Sequence, residues 1–144
     1  MGEKKQKEIG KRRYGILIFG IILVDHIIKF LFISYFPQKV FVNTGISFSF
    51  LADTHSILTI VLHTCGVMVM VYLLKSSQPK IAFLLLLAGG LSNLIDRIVY
   101  GGVIDFIRIG SLPIFNFADS IINLGLVIFI IYIVKDWMSR LDET

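Results

Sequence analysis

Charge is scarce along this chain. Only 17% of its residues are Asp, Glu, Lys or Arg and 56% are hydrophobic, against about 25% and about 45–50% in a soluble globular domain. A water-soluble domain is excluded, because the apolar residues gather in long runs instead of alternating with polar ones. Cysteine is nearly missing too: Cys65 stands alone inside an apolar run, so no intramolecular disulfide can form. His26, His55 and His63 have no metal-ligand spacing, and neither a His-Glu-x-x-His nor a paired-cysteine motif occurs. No Gly-x-Ser-x-Gly turn marks a serine nucleophile. Neither a metal nor another cofactor is expected, and the sequence shows no internal repeat or low-complexity stretch.

In place of these, four apolar runs cover 14–36, 56–74, 81–97 and 114–134. Each approaches the ~20 residues that cross a hydrocarbon core of ~30 Å. The third is the least apolar, since its outer end contains Ser92, Asn93, Asp96 and Arg97. The first follows a basic segment, as a signal peptide would. It runs for 23 residues without a small-residue cleavage site and carries Asp25 and Lys29, so it is expected to be retained. These features predict an all-α membrane protein of one domain over 1–144, a four-transmembrane-helix bundle with a small extracytoplasmic β platform.

Lys4, Lys5, Lys7, Lys11, Arg12 and Arg13 crowd the first thirteen residues. Immediately before a span, such a run reads as a cytoplasmic retention signal and not as a nucleic-acid site. With the amino terminus inside, the cytoplasmic parts hold ten of the fourteen Lys and Arg. Both termini are therefore expected in the cytoplasm. The polar connections 37–55 and 98–113 then fall on the opposite side. From Val40 to Phe50 the first of them alternates apolar and polar residues around Asn43-Thr44-Gly45, which reads as a hairpin-like or irregular β segment. Pairing short strands would satisfy backbone groups at the membrane surface.

An ionisable side chain near hydrocarbon carries a cost, roughly 2.5–3.5 kcal/mol at a helix centre and less toward the interface. Asp105 and Asp119 bear that cost at one membrane face, fourteen positions apart. Two carboxylates sharing a low-dielectric site cannot both ionise easily, so one keeps a proton near neutrality. The ionised one can take a proton from water while the other polarises a carbonyl and later supplies a leaving amine. Spacing alone leaves open that each Asp instead caps a helix or pairs with Arg97 or Arg108. Asp96 and Arg97 read as an interfacial network at the end of the third span, with Asn93 one turn away. Asp25 and Lys29 share one helical face, where they can neutralise each other, turn toward the bundle, or let Lys29 snorkel outward. Gly89, Gly90 and Gly125 read as close-packing points between spans.

Taken together, the stretches VDHIIK, VNTGISFSF, GGLSNLIDR, VIDF and FNFADS, in that order on four spans, resemble lipoprotein signal peptidase (signal peptidase II). The resemblance implies a bacterial inner-membrane aspartic endopeptidase. Its substrate would be a diacylglyceryl-modified prolipoprotein, cut just before the lipidated cysteine. It also implies that Asp105 and Asp119 form the catalytic pair. Asp25, Lys29, Asn43, Gly45, Asn93, Asp96, Arg97, Asn116 and Ala118 match the family's supporting or substrate-binding positions. Asn43 would bond substrate backbone, and Arg97 or Asn116 would orient the scissile carbonyl or a carboxylate. His26 stands where Gln is commoner in the family, and Ser92 where a Gly often precedes the Asn. Beyond substrate and membrane lipid no partner is implied, and the chain is expected to work as a monomer. Two readings from other classes are a small proton- or ion-coupled transporter, with Asp25, Asp96 and Asp119 as a relay, and a non-enzymatic membrane subunit.

Overall fold

The computed structural model describes residues 2–45 and 56–141. Helix α1 covers Gly2–Tyr35 and is followed by a single 3-10 turn at Pro37–Lys39 and strand β1 at Phe41–Asn43. Helices α2 (Ser56–Ser76) and α3 (Lys80–Tyr100) come next, then strand β2 (Val103–Asp105) and helix α4 (Phe117–Leu141). Four helical stretches are long and apolar enough to cross a membrane: Arg12–Tyr35, Ile57–Lys75, Lys80–Tyr100 and Phe117–Leu141. The chain is a multi-pass membrane protein.

Helix α3 is the hub, packing against α1, α2 and α4. It has the lowest mean hydropathy of the four spans, 1.6, yet most of it is buried, whereas the others expose most of their apolar residues. In lipid this inversion is expected: apolar side chains face acyl chains, and polar ones retreat to the bundle interior. Glycine allows the close approach of α3 and α4. A Cβ on Gly89 would lie 2.6 Å from the Ala118 carbonyl oxygen, and one on Gly125 would lie 2.9 Å from the Ala82 carbonyl oxygen. At the other end of the bundle, Lys80 Nζ donates to the carbonyls of Leu74 (2.7 Å) and Lys75 (3.1 Å), satisfying the last turn of α2.

Helix α3 ends on Gly101, whose left-handed φ of 72° no bulky residue adopts cheaply and whose N–H donates to the Arg97 carbonyl. The chain then enters β2, which pairs antiparallel with β1 in the register Phe41–Asp105, Val42–Ile104 and Asn43–Val103. Gly102 permits this contact, since a Cβ there would meet Val42 Cγ1 at 2.8 Å and the Asn43 carbonyl at 2.9 Å. The platform strand thus finds a partner in the connection that follows α3. The expected hairpin-like continuation to Phe50 lies outside the described residues.

Several helix boundaries differ from the apolar runs, and two of them lie beside the site. Helix α3 continues to Tyr100, which places Asp96 and Arg97 inside its final turns. Helix α4 starts at Phe117 instead of Ile114. Phe115 is held in an antiparallel bridge with Ile107, and the Asn116 side chain caps the helix behind it. That bridge closes the connection around Gly110 (φ 54°) and returns the chain beside the end of β2.

Candidate active site

The site is built on the first turn of α4. Asn116 is its N-cap, and Asn116 Oδ1 accepts the N–H of Asp119 at 2.9 Å. Asp119 Oδ2 accepts the N–H of Asn116 in return, at 3.1 Å. This reciprocal pair is a capping box written with Asn and Asp. A third N–H of that turn, from Ala118, is taken by Asp25 Oδ1 of α1 at 2.9 Å. Groups that every helix leaves unpaired at its start are here satisfied by side chains from its own cap and from α1.

Asp105, at the end of β2, is 1% exposed. Its Oδ1 accepts Asn116 Nδ2 at 2.7 Å and its Oδ2 accepts Asn43 Nδ2 at 3.1 Å. Asn43 is held in turn by the N–H of Gly45, which donates to its Oδ1 at 3.1 Å. The second proton of Asn116 Nδ2 goes to Asn93 Oδ1 (3.2 Å), and Asn93 Nδ2 donates to Asp119 Oδ1 (2.8 Å). Asp105 and Asp119 are therefore tied together through Asn116, whose side chain bonds one and whose backbone N–H bonds the other, and by a longer route that runs from Asn116 through Asn93 to Asp119. Both carboxylates line one cavity of about 400 Å³, together with Asn43, Asn93, Arg97 and His63. Burial, then the neighbouring Asp119 charge, push the Asp105 carboxyl up from 3.8 to about 6, while hydrogen bonds from Asn43 and Asn116 pull the other way. A carboxyl held there exchanges protons near neutrality, as acid/base work requires.

Beneath this pair lies a second cluster. Lys29 Nζ, 2% exposed, meets Asp25 Oδ2 and Asp96 Oδ2, each at 2.6 Å, and donates to Asn93 Oδ1 at 3.4 Å. All three ammonium protons have acceptors. Ser92 Oγ donates to Asp25 Oδ2 (2.6 Å), and Asp96 Oδ2 also accepts the N–H of Ile104 (3.1 Å). His26 lies beside the cluster, with Nδ1 3.2 Å from Ser92 Oγ and Nε2 3.6 Å from Asp96 Oδ1. Among the described residues no group of three His, Cys, Asp or Glu side chains is arranged to hold a metal ion.

Comparison with known proteins gives this constellation a family. The model described as signal peptidase (SPase) II matches residues 17–135. The chain belongs to the signal peptidase II family. It is 39% identical to the lipoprotein signal peptidase of Thermodesulfovibrio yellowstonii, over 81% of this chain and 90% of that one. It is 32% identical to that of Clostridium tetani, over 84% and 91%. Its fold resembles a bacterial membrane enzyme solved by the in meso method, with a TM-score of 0.76 at 23% identity, covering 89% of this chain and 91% of the other.

For this signal peptidase II chain, the structure sharpens several sequence expectations. Asp119 does cap a helix, while also reaching the cavity; capping and chemistry do not compete for it. Asp25 and Lys29 neutralise each other as one option foresaw, and Lys29 does not snorkel. Asp96 turns away from Arg97 and pairs with Lys29 instead. Arg97 Nη2 donates to the Gly45 carbonyl at 2.6 Å, and its Nε and Nη1 have no partner among the described residues. Asn43, expected on substrate backbone, spends its amide on Asp105 and Gly45. Ala118 contributes a backbone N–H and not a side chain. Ser92, noted only as a departure from the family pattern, bonds Asp25 and contacts His26, the other such departure in the described residues. His63 and Asn123 line the cavity and were missed. Their signal was available: Asn123 is flanked by apolar residues within a span, and His63 is an ionisable side chain inside an apolar run.

Proposed function

We propose that this chain removes signal peptides from prolipoproteins whose cysteine carries a diacylglyceryl group, hydrolysing the peptide bond just before that cysteine. Asp105 and Asp119 are the catalytic pair. The observation that carries this reading is Asn116, whose side chain donates to the Asp105 carboxylate and whose backbone N–H donates to the Asp119 carboxylate, at the wall of a single cavity in a member of the signal peptidase II family.

One proton is shared by the pair. The ionised carboxylate takes a proton from water, and the resulting hydroxide attacks the scissile carbonyl carbon. The protonated carboxyl donates to the carbonyl oxygen and stabilises the charge developing there. When the carbon–nitrogen bond breaks, a carboxyl proton passes to the leaving amine of the lipidated cysteine. Asn116 and Asn93 keep the two carboxylates in register throughout, and no covalent enzyme intermediate forms. Lys29 ties Asp25 and Asp96 into the second cluster, and among the described residues Asp105 and Asp119 are the carboxylates that line the cavity.

The substrate is itself a membrane helix and enters sideways between spans. Its cut site meets the pair at the outer face of the bacterial cytoplasmic membrane, with both termini of the enzyme in the cytoplasm, a reading supported by the distribution of Lys and Arg. The chain acts as a monomer surrounded by lipid. A transport relay through Asp25, Asp96 and Asp119 loses its support, because two of its three members are tied to Lys29.

The deciding experiment uses purified protein and a diacylglyceryl-modified prolipoprotein. Asp105→Asn and Asp119→Asn are each expected to be folded and inert. Full cleavage by either variant would remove that residue from the pair.

A further inference from the structure

His63 and Asn123 face the cavity but take no part in the chemistry above. Asn123 lies one helical turn beyond Asp119 on α4, hence on a similar face and ~6 Å further along the helix axis. Its side chain forms no hydrogen bond among the described residues, although it sits within a span. An amide in that position demands a partner, because hydrocarbon supplies none. His63 reaches the cavity from α2, with Nε2 3.0 Å from the Gly90 carbonyl oxygen. A carbonyl only accepts, so Nε2 carries the ring proton and a neutral His63 offers Nδ1 as an acceptor.

We infer that His63 and Asn123 form a subsite for one substrate peptide unit on the signal-peptide side of the cut, with His63 accepting its N–H and Asn123 donating to its C=O. This rests on the peptidase reading and deepens it. A peptide that is unwound for cleavage exposes N–H and C=O groups inside the membrane, and each needs a partner. The offset of ~6 Å from Asp119 spans about two residues of extended chain at ~3.3 Å each. The subsite therefore meets the substrate about two residues before the scissile bond. The matching also excludes the lipid ester groups as its ligand, since an ester has no proton to give His63.

The test replaces single amide links of a diacylglyceryl-modified substrate peptide with ester links, one position at a time over the four residues before the cut. Each substrate is measured with the full-length enzyme in micelles and with its His63→Leu and Asn123→Leu variants. In the wild-type enzyme the ester about two residues before the cut is expected to raise KM about fivefold, the size of one net hydrogen bond, with a smaller change in kcat. The same ester should cost nothing further in His63→Leu, while esters at other positions cost both enzymes equally. Equal penalties in wild type and His63→Leu at every position would overturn the subsite and leave the peptidase reading intact. Failure of the wild-type enzyme to cut the all-amide peptide would sink both. Because the decisive change is made in the substrate, a variant that folds poorly does not rescue the idea: a wild-type enzyme indifferent to all four esters also overturns it.

Discussion

Two pairs of carboxylates lie side by side in this bundle, and they are held in opposite ways. Asp25 and Asp96 close on a shared ammonium, Lys29, at 2.6 Å each. Asp105 and Asp119 are held by amides and backbone N–H groups, with no cation bonded to either among the described residues. Arg97 lies within electrostatic reach of both, yet its only hydrogen bond among the described residues goes to Gly45. A carboxylate locked to a buried ammonium is a fastener, because losing its proton partner strands a charge. A carboxylate held by neutral donors keeps its place in either protonation state. On the proposed reading the molecule uses one residue type for cohesion and for proton transfer, and the difference is the charge of the donor.

That contrast can be broken in steps of decreasing size. Removing either member of the amide-held pair should have the largest effect. Asp105→Asn or Asp119→Asn is expected to lower cleavage by about 10²–10⁴-fold or more while the protein remains folded, as read by turnover and thermal unfolding of the same sample. Lys29→Met should reverse the pattern. It strands two buried carboxylates and is expected to destabilise the bundle by about 3–5 kcal/mol, with partial recovery when Asp25 and Asp96 are also changed to Asn.

A third step concerns pH. Asp105 binds its proton more tightly when folded (about 6) than in its ordinary state (3.8), so its favourable contribution is complete below about 3.8 and disappears as pH rises through 6. The difference in unfolding stability between wild type and Asp105→Asn should drift by about 2–3 kcal/mol across that window and stay level above it. A drift in the opposite direction would contradict the raised value. The smallest step is Asn43→Leu. Loss of one donor to Asp105 should push its carboxyl above about 6 and cost about fivefold in turnover at neutral pH. Both effects can be read from one pH–rate profile.

The spans were legible because lipid imposes one rule on composition, and runs of apolar residues near twenty long satisfy it. The order of motifs likewise singled out Asp105 and Asp119 as the proposed pair, and the structure brings both to one cavity. Partner choice was not legible. Asp96 lies next to Arg97 in sequence, but consecutive residues on a helix point about 100° apart, and Lys29 of another span fills the direction Asp96 faces. The start of α4 was misplaced by three residues, since Ile114 and Phe115 are apolar enough to continue a span. Hydrophobicity could not reveal that Phe115 is bridged to Ile107 or that Asn116 caps the helix. The pairing of β1 with β2 was hidden for a related reason: strand alternation signals a strand without naming its partner.

The capping box at Asn116 and Asp119 has a consequence for assembly. These two residues begin the last span and also complete the candidate site, so forming the helix end and aligning the carboxylates are a single event. During synthesis the first three spans emerge carrying Asp105, its strand and the Lys29 cluster, but not the other half of the pair. If Asp105 and Asp119 act as proposed, a protease that lies in the same bilayer as every other nascent membrane segment stays blank until α4 has been inserted. On the proposed reading, insertion of α4 is the step that completes the pair.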